Sequence, residues 1–290
     1  GFGSTHRSAP GLLRRGLVDR DGVPPAIWVV PDPSCYRGHS VFADSANNGP
    51  WGTMLVDELL PAIDARFGGA GPEHRYVTGI SSGGWSSLWL QVTHPEAFAG
   101  CWSHVPDPVD FRDFQMIDLY AGGSMYRDEA GDPRPLARRG GRVVLTYREF
   151  VAREEVLGPG GQIHAFEAVF SPRRPDGRPR PLFDRATGRI DVATAEAWRP
   201  YDIGHVLRTR WDELGPRLAG KLHVIGGSED AFYLEGAVEL LEADLERLGS
   251  DADVYVVEGM GHTVHGPAVD DMLATLAARW AAREAATAGA

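Results

Sequence analysis

One serine in this chain lies in a sequence context that could make it a nucleophile. Ser81 is the central residue of Gly79-Ile80-Ser81-Ser82-Gly83, after the strand-like residues 75–80 and before the apolar, helix-competent residues 85–90. Small residues on both sides allow a turn sharp enough to hold the hydroxyl clear of a sheet. The pattern alone also arises by chance in a chain with 36 glycines. The strand before it and the helix after it favour a nucleophile elbow.

A serine hydroxyl is a poor nucleophile at neutral pH, so it requires a base and an acid that orients the base. In open parallel sheets such groups follow the carboxyl ends of the strands. The predicted strand 221–226 is followed by Asp230, and the predicted strand 253–257 is followed by His262. The chain order Ser81, Asp230, His262 is the order expected of an α/β-hydrolase.

Each of these two candidates has an alternative interpretation. Asp230 is also placed to cap the N-terminus of the following helix, and Glu229 is a neighbouring acid. His262 could be an ordinary histidine of a surface loop, and His265 competes with it for the role of base. Because His262 follows a strand directly and lies among glycines, it is the preferred candidate.

Composition limits the classes of partner and site. The chain has 290 residues, 43% of them hydrophobic, and no apolar run approaches the ~18 residues of a membrane span. A formal net charge of −11 disfavours nucleic acid as the main partner, because binding to phosphates requires clustered basic surface. Cys35 and Cys101 are predicted to be free thiols, and no metal or cofactor site is predicted. The first residues show no targeting signal, and the localisation stays open. The sequence also leaves the oligomeric state open.

The order of predicted elements indicates one α/β domain over residues 1–290. A buried strand at 26–30, a helix over 51–67 ending near Gly68, the elbow and a strand at 98–105 come first. Strands at 221–226 and 253–257 then alternate with helices at about 234–248 and 269–283. This alternation predicts a mostly parallel sheet flanked by helices.

The alternation is interrupted between residues 106 and 218, which are rich in Pro, Arg, Asp and Gly. This stretch is predicted to be a large inserted cap or lid region, because the alternating pattern resumes after it. It includes an apolar run at 142–145 and a possible hairpin over 181–191. Four arginines interleaved with prolines at 173–180 indicate mainly an exposed loop, although they could meet an anionic substrate if the cap covers the site.

Several other polar residues are weaker candidates. His104 follows the strand beside the elbow strand and could face a pocket, but a hydrogen-bonded residue near the core is the preferred interpretation. Asp107, Asp110 and Asp113 could suggest a metal site, yet they lack a defined ligand spacing. Solvated or helix-capping roles are therefore predicted for these three acids.

The tetrahedral intermediate of acyl transfer also requires donors for its oxyanion. One donor should be the backbone N–H of Ser82, the residue after the nucleophile, and a second should come from an earlier strand-to-helix loop. Gly1-Phe2-Gly3 has a suitable composition for that loop, although no strand precedes it.

From Gly1 to about Cys101, and again from Lys221 to about Gly266, the chain resembles the esterase family of α/β-hydrolases that includes esterase D, feruloyl esterases and enterochelin esterases. The resemblance is carried by Pro31-Asp32, by WGTMLVDELLP at 51–61, by GISSGG at 79–84, and by Gly261-His262. Gly1-Phe2-Gly3 resembles the end of the family's His-Gly-x-Gly oxyanion motif.

This resemblance implies that Ser81 is the nucleophile, Asp230 the acid and His262 the base, with Phe2 and Ser82 as oxyanion donors. It further implies an N-terminally truncated chain whose first strands are missing. The function expected is hydrolysis of a small-molecule carboxylic ester through an acyl-enzyme, with an aryl or sugar-linked ester as the family-based first choice of substrate. Two alternatives stay open: a mycolyltransferase-like acyltransferase, and a non-catalytic binding module on a hydrolase fold.

Overall fold

The computed structural model describes residue 11 and residues 23–288. In chain order, the strands are β1 Ser34–Cys35, β2 Gly38–His39, β3 Asp44–Ser45, β4 Gly49–Pro50, β5 Tyr76–Ile80, β6 Gly100–His104, β7 Pro135–Arg139, β8 Arg142–Thr146, β9 Leu222–Gly227 and β10 Asp253–Val257. The α-helices are α1 Trp51–Met54, α2 Leu60–Phe67, α3 Ser82–Thr93, α4 Tyr147–Leu157, α5 Gln162–Phe170, α6 Val192–Trp198, α7 Ile203–Leu218, α8 Glu235–Arg247 and α9 Gly266–Ala288.

A four-stranded parallel sheet in the order β10-β9-β6-β5 forms the centre of the fold. Its register places Ile80 opposite His104, His104 opposite Ile225, and Val257 opposite Gly227. The carboxyl ends of all four strands therefore meet at one edge, where the loops that follow them can share a site. The predicted parallel sheet alternating with helices is confirmed.

Helices cover both faces of this sheet. Cys101 and Trp102 are consecutive on β6, so their side chains point to opposite faces. Cys101 belongs to the same buried cluster as Trp85 and Leu88 of α3, whereas Trp102 packs with Met272 of α9. The side chain of Cys101 is buried as a free thiol, as predicted, and Cys35 is also free.

The predicted buried strand at 26–30 is wrong. These residues form no strand, and Ile27 and Val29 are each 45% exposed. Only Trp28 packs against the cluster around Trp102. The apolar run therefore supplies one anchoring side chain, and its backbone pairs with none of the described strands.

The predicted helix over 51–67 is confirmed, with an irregularity in its middle. Helix α1 continues through a π-helical turn, Leu55–Leu59, into α2. Helix α2 ends where Gly68 takes a left-handed conformation (φ 72°) and its N–H donates to the carbonyl of Asp64. Glycine at this position is the residue type that tolerates positive φ at low cost.

The segment 106–218 packs onto the sheet layer through aromatic side chains. Phe111, Phe166, Phe170 and Trp198 belong to the same buried cluster as Trp85 of α3, and the Phe170 and Trp85 rings lie 5.3 Å apart. The hairpin predicted over 181–191 is present, with an antiparallel bridge between Phe183 and Ile190. The interpretation of this segment as a cap stays a prediction.

Buried ion pairs also join this segment to the rest of the domain. Asp110 and Asp244 are almost completely buried, and each pairs with Arg112 and with Arg208. The hydrogen bonds to Arg112 hold the pKa of Asp110 below its usual value despite burial. The predicted capping role of Asp110 is correct, because it accepts from the Arg112 N–H, but the residue is not solvated.

Candidate functional site

The turn at Ser81 has the strained geometry of a nucleophile elbow. Ser81 connects β5 to α3 with φ 59° and ψ −128°, a backbone conformation rare for a residue with a side chain. Its N–H donates to the carbonyl of His104 at 3.0 Å. A Cβ at Gly79 would lie 2.3 Å from the carbonyl oxygen of Gly83. The elbow therefore requires glycine at position 79 for close backbone approach.

The acid and the histidine predicted from strand ends lie in direct contact. The Nδ1 atom of His262 is 2.7 Å from Oδ2 of Asp230, whose side chain is fully buried. The other oxygen, Oδ1, accepts the Phe232 N–H at 2.7 Å. Helix α8 begins only at Glu235, with Leu234 as its N-cap. The helix-capping alternative for Asp230 is therefore wrong, and the carboxylate instead braces its own loop and faces His262.

The loops that carry these two residues approach each other closely. A Cβ at Gly227 would lie 2.4 Å from the carbonyl of Met260, and the Glu229 N–H donates to that same carbonyl at 2.9 Å. His265, the competing histidine, is hydrogen-bonded instead to the hydroxyl of Tyr255 at 3.3 Å. The edge-to-face contact of Phe232 with the His262 ring, at 5.0 Å, covers one face of the imidazole.

The hydroxyl of Ser81 contacts a different acid in this structure. Ser81 Oγ donates to Oδ1 of Asp107 at 3.3 Å, and Ser82 Oγ donates to Oδ2 at 2.6 Å. Between Ser81 and His262, both within the described part of the chain, there is no hydrogen bond. The structure thus joins Asp230 to His262, and joins Ser81 to Asp107.

The prediction that Asp107 is solvated or caps a helix is wrong. Its side chain is buried, and Gln162 at the start of α5 donates to Oδ2 at 3.1 Å. Burial raises the pKa of the Asp107 carboxyl, while the hydrogen bond from Ser82 and the charge of His262 lower it. Asp107 comes three residues after β6, so the strand-end criterion that selected Asp230 and His262 would also have found it.

Of the two predicted oxyanion donors, Ser82 and Phe2, only Ser82 lies among the described residues. Ser82 is the first residue of α3, so its N–H belongs to the group at a helix start that has no intrahelical acceptor. Phe2 lies outside the described residues.

Among residues 11 and 23–288, no group of three or more His, Cys, Asp or Glu side chains is arranged to hold a metal ion, and none of the helices there could cross a membrane.

An arginine from the segment 106–218 holds the loop that carries Asp230. Arg138, on β7, donates through Nε to the carbonyl of Asp230 at 2.7 Å and through an Nη to the carbonyl of Ser228 at 3.0 Å. It also pairs with Glu235 at 2.5 Å, and its guanidinium lies over the Tyr233 ring at 4.5 Å. The irregular composition of the insertion contains no signal that could have revealed this contact.

We expect Arg138→Ala to lower kcat for the predicted ester hydrolysis by about 10-fold to 100-fold, because a misplaced Asp230 loop would misorient His262, the predicted base. The fold should persist, with a loss of about 1–3 kcal/mol from the unpaired carbonyls. Steady-state kinetics and chemical denaturation measure the two effects. Arg139→Ala is the matched control, since Arg139 is the exposed neighbour on the same strand. Equal kcat values for the two variants would contradict the positioning role.

The side chain of His104 is buried without a hydrogen bond to any described residue, contrary to the prediction of a hydrogen-bonded residue. Neither ring nitrogen has a partner in the described part of the chain, and the residue is 2% exposed. Burial lowers the pKa of His104 to about 4, with a smaller contribution from the charge of His265. His104 is therefore neutral at physiological pH, and its carbonyl, not its ring, contacts the elbow.

The depressed pKa of His104 predicts acid sensitivity. The unfolded chain takes up a proton on His104 near pH 6.5, whereas the folded chain does so only near pH 4. The contribution of neutral His104 to the free energy of unfolding is therefore fully present above pH 6.5 and is lost as the pH falls toward 4. We expect this loss to reach about 3 kcal/mol and to be absent in His104→Leu. Unfolding free energies of both proteins across pH 4–8 measure it. Parallel pH curves would exclude His104 as the source.

Comparison with known proteins identifies the family of this chain. The family described as "Putative esterase" matches residues 21–263. Among solved structures, the chain is similar to a ferulic acid esterase, with 11% identity and a TM-score of 0.55 over 94% of this chain and 77% of that one. It is also similar to an S-formylglutathione hydrolase from Agrobacterium tumefaciens, with 17% identity and a TM-score of 0.42 over 89% and 70% of the two chains. No protein with curated annotation matches the chain significantly.

Proposed function

The chain belongs to the Esterase family and is a serine esterase that hydrolyses carboxylic esters, and we propose that it does so through Ser81, His262 and Asp230 with a covalent acyl-enzyme. The fold is the predicted α/β-hydrolase fold. The observation that carries the proposed catalytic roles is the 2.7 Å contact between His262 Nδ1 and buried Asp230. It orients the imidazole with Nε2 available as the base, at the sheet edge where Ser81 begins its helix.

In the acylation step, Ser81 Oγ attacks the ester carbonyl carbon while its proton moves to Nε2 of His262. The carbonyl electrons move onto oxygen, and the backbone N–H of Ser82 donates to this oxyanion; Phe2 is the proposed second donor. The negative charge of Asp230 stabilises the imidazolium. When the tetrahedral intermediate collapses, the bond to the alcohol oxygen breaks and His262 returns the proton to that oxygen. The alcohol leaves, and the acyl group stays on Ser81.

In the second step, water replaces the alcohol. His262 removes a proton from the water as its oxygen attacks the acyl carbon, and Ser82 again donates to the oxyanion. Collapse breaks the bond to Ser81 Oγ, which recovers its proton from His262. The carboxylic acid is released, and the enzyme returns to its starting state.

This mechanism requires the Ser81 hydroxyl to turn from Asp107 toward His262. Rotation about the Cα–Cβ bond of serine interconverts three staggered positions, and this is the motion by which we propose that the hydroxyl is redirected. Catalytic hydrogen bonds are often long or misaligned before substrate binds. The elbow conformation of Ser81, with φ 59°, supports its assignment as nucleophile independently of the direction of the hydroxyl.

For the substrate we propose an aryl or sugar-linked ester, and we assign its selection to the segment 106–218. This segment supplies Gln162, whose amide contacts Asp107 beside the nucleophile, and Arg138, which holds the Asp230 loop. The inserted segment is thus connected to both sides of the proposed active site.

The decisive experiment labels the folded protein with a fluorophosphonate and identifies the modified residue by peptide mass spectrometry. We expect a single adduct on Ser81 and none in Ser81→Ala. A folded wild-type protein that takes up no label, or takes it up elsewhere, would refute the proposed nucleophile. Product analysis on p-nitrophenyl acetate, methyl ferulate and acetylated sugars, with and without added alcohol, then ranks the substrates. Transfer to the alcohol in preference to water would show an acyltransferase.

A further inference from the structure

The second acid beside the nucleophile has no role in the mechanism above. Asp107 is buried, and its carboxyl receives three side-chain donors: Ser81 on Oδ1, and Ser82 and Gln162 on Oδ2. In addition, its own N–H donates to the carbonyl of Ser81 at 3.3 Å. Burial raises the pKa of this carboxyl, and the hydrogen bonds from Ser82 and Ser81 act in the opposite direction by favouring the anion.

The position of Asp107 in the sheet brings it close to the reacting groups. It follows β6, which lies between β5, the strand that precedes Ser81, and β9, the strand that precedes Asp230. The charge of His262 acts on its carboxyl. When His262 takes the serine proton, the imidazolium would therefore have two neighbouring carboxyl groups, Asp230 in contact with Nδ1 and Asp107 on the side of the nucleophile.

We propose that Asp107 is a further catalytic residue of this site: it holds the Ser81 hydroxyl in the resting enzyme and, as a carboxylate, stabilises the His262 imidazolium once the serine proton has been transferred. The inference rests on the proposed function of Ser81 and His262. The proton itself moves from Ser81 Oγ to His262 Nε2 as before, and Asp107 contributes charge and a hydrogen-bond acceptor without being protonated in the cycle.

The groups that surround Asp107 and His262 determine how the role of the Asp107 charge can be tested. Around Asp107 lie the side chains of Ser81, Ser82 and Gln162. Burial raises the pKa of the Tyr147 hydroxyl on α4, and the charge of Asp107 raises it further. Around His262 lie Asp230 and the ring of Phe232. Among the groups named here, Asp107 and Asp230 are the carboxyl groups that can stabilise the imidazolium.

The test compares Asp107→Asn with the wild-type enzyme by the pH dependence of kcat/KM for p-nitrophenyl acetate. Asparagine keeps the shape of the side chain and one acceptor oxygen but removes the charge. We expect kcat/KM to fall by about 10-fold to 100-fold, mainly through kcat. The acid limb should move to lower pH, because the imidazolium loses one of its neighbouring negative charges.

Gln162→Ala is the matched variant, because it removes a donor to the same carboxyl and leaves the charge in place. We expect its acid limb to stay at the wild-type pH whatever its kcat/KM, because the charge beside His262 is unchanged. If Asp107→Asn keeps the wild-type kcat/KM and the wild-type acid limb, the proposal is overturned. It is also overturned if Asp107→Asn only lowers the unfolding free energy, or if both variants change the profile equally. Fluorophosphonate labelling of wild-type Ser81 separates these failures from failure of the proposed function itself.

Discussion

Replacing Ser81 by Ala or His262 by Gln is expected to lower kcat for ester hydrolysis by about 10⁶-fold in each case. In the proposed mechanism the two side chains act as one unit: without the base the hydroxyl is not activated, and without the hydroxyl the base has nothing to activate. The double variant should therefore be no slower than either single variant. Steady-state hydrolysis of p-nitrophenyl acetate measures kcat for the two single variants and the double variant. Circular dichroism confirms that each variant is folded.

Asp230→Asn serves as the graded member of this series. It keeps the volume of the buried side chain but replaces the acceptor Oδ2, 2.7 Å from His262 Nδ1, so that the imidazole can be held in the wrong tautomer. We expect a fall in kcat of about 10⁴-fold, smaller than for loss of Ser81 or His262. Independent, multiplicative effects of Ser81→Ala and His262→Gln would contradict a shared catalytic unit.

The second large effect is expected at Gly79, where a single methyl group should disrupt the elbow. A Cβ at this position would lie 2.3 Å from the carbonyl oxygen and 2.4 Å from the carbonyl carbon of Gly83. Both atoms belong to the backbone of helix α3, so relief requires movement of the helix start that carries Ser82. We expect Gly79→Ala to lower the unfolding free energy by at least about 3 kcal/mol and to abolish labelling of Ser81.

Gly266→Ala is the control for this substitution. Gly266 begins α9, and a Cβ there would meet no atom within 4 Å. We expect its unfolding free energy to stay within about 0.5 kcal/mol of the wild-type value. Chemical denaturation of both variants and fluorophosphonate labelling report stability and elbow geometry separately. A Gly79→Ala protein that is as stable and as reactive as Gly266→Ala would show that the elbow tolerates a side chain.

The segment 106–218 connects to the proposed site through its first residues and through two side chains farther along. Asp107 lies at the beginning of the segment, Arg138 reaches the acid loop, and Gln162 reaches Asp107. Its aromatic core is continuous with Trp85, in the first turn of the helix that follows the nucleophile. We therefore expect substitutions inside the segment to affect catalysis as well as the substrate choice that we propose for it.

The amino-acid sequence alone determined the elements whose signals are local. Ser81 between small residues, a strand before it and a helix after it define a turn within a dozen positions, and the structure contains that turn. Asp230 and His262 could be selected because each follows a strand directly, and parallel strands end at the same edge of a sheet. The helix stop at Gly68 was likewise a local consequence of glycine's tolerance for positive φ.

Only the tertiary structure decided the contacts made between distant parts of the chain. The run at 26–30 has the composition of a buried strand, but strand formation requires a neighbouring strand to accept its hydrogen bonds, and composition does not specify one. Asp107 looked like a solvated loop acid because exposure depends on what packs over it, here Gln162 from 55 positions along the chain. Arg138 contacts the Asp230 loop from 92 positions away. Such contacts depend on how the irregular insertion folds back onto the sheet, and no periodicity in the sequence encodes that path.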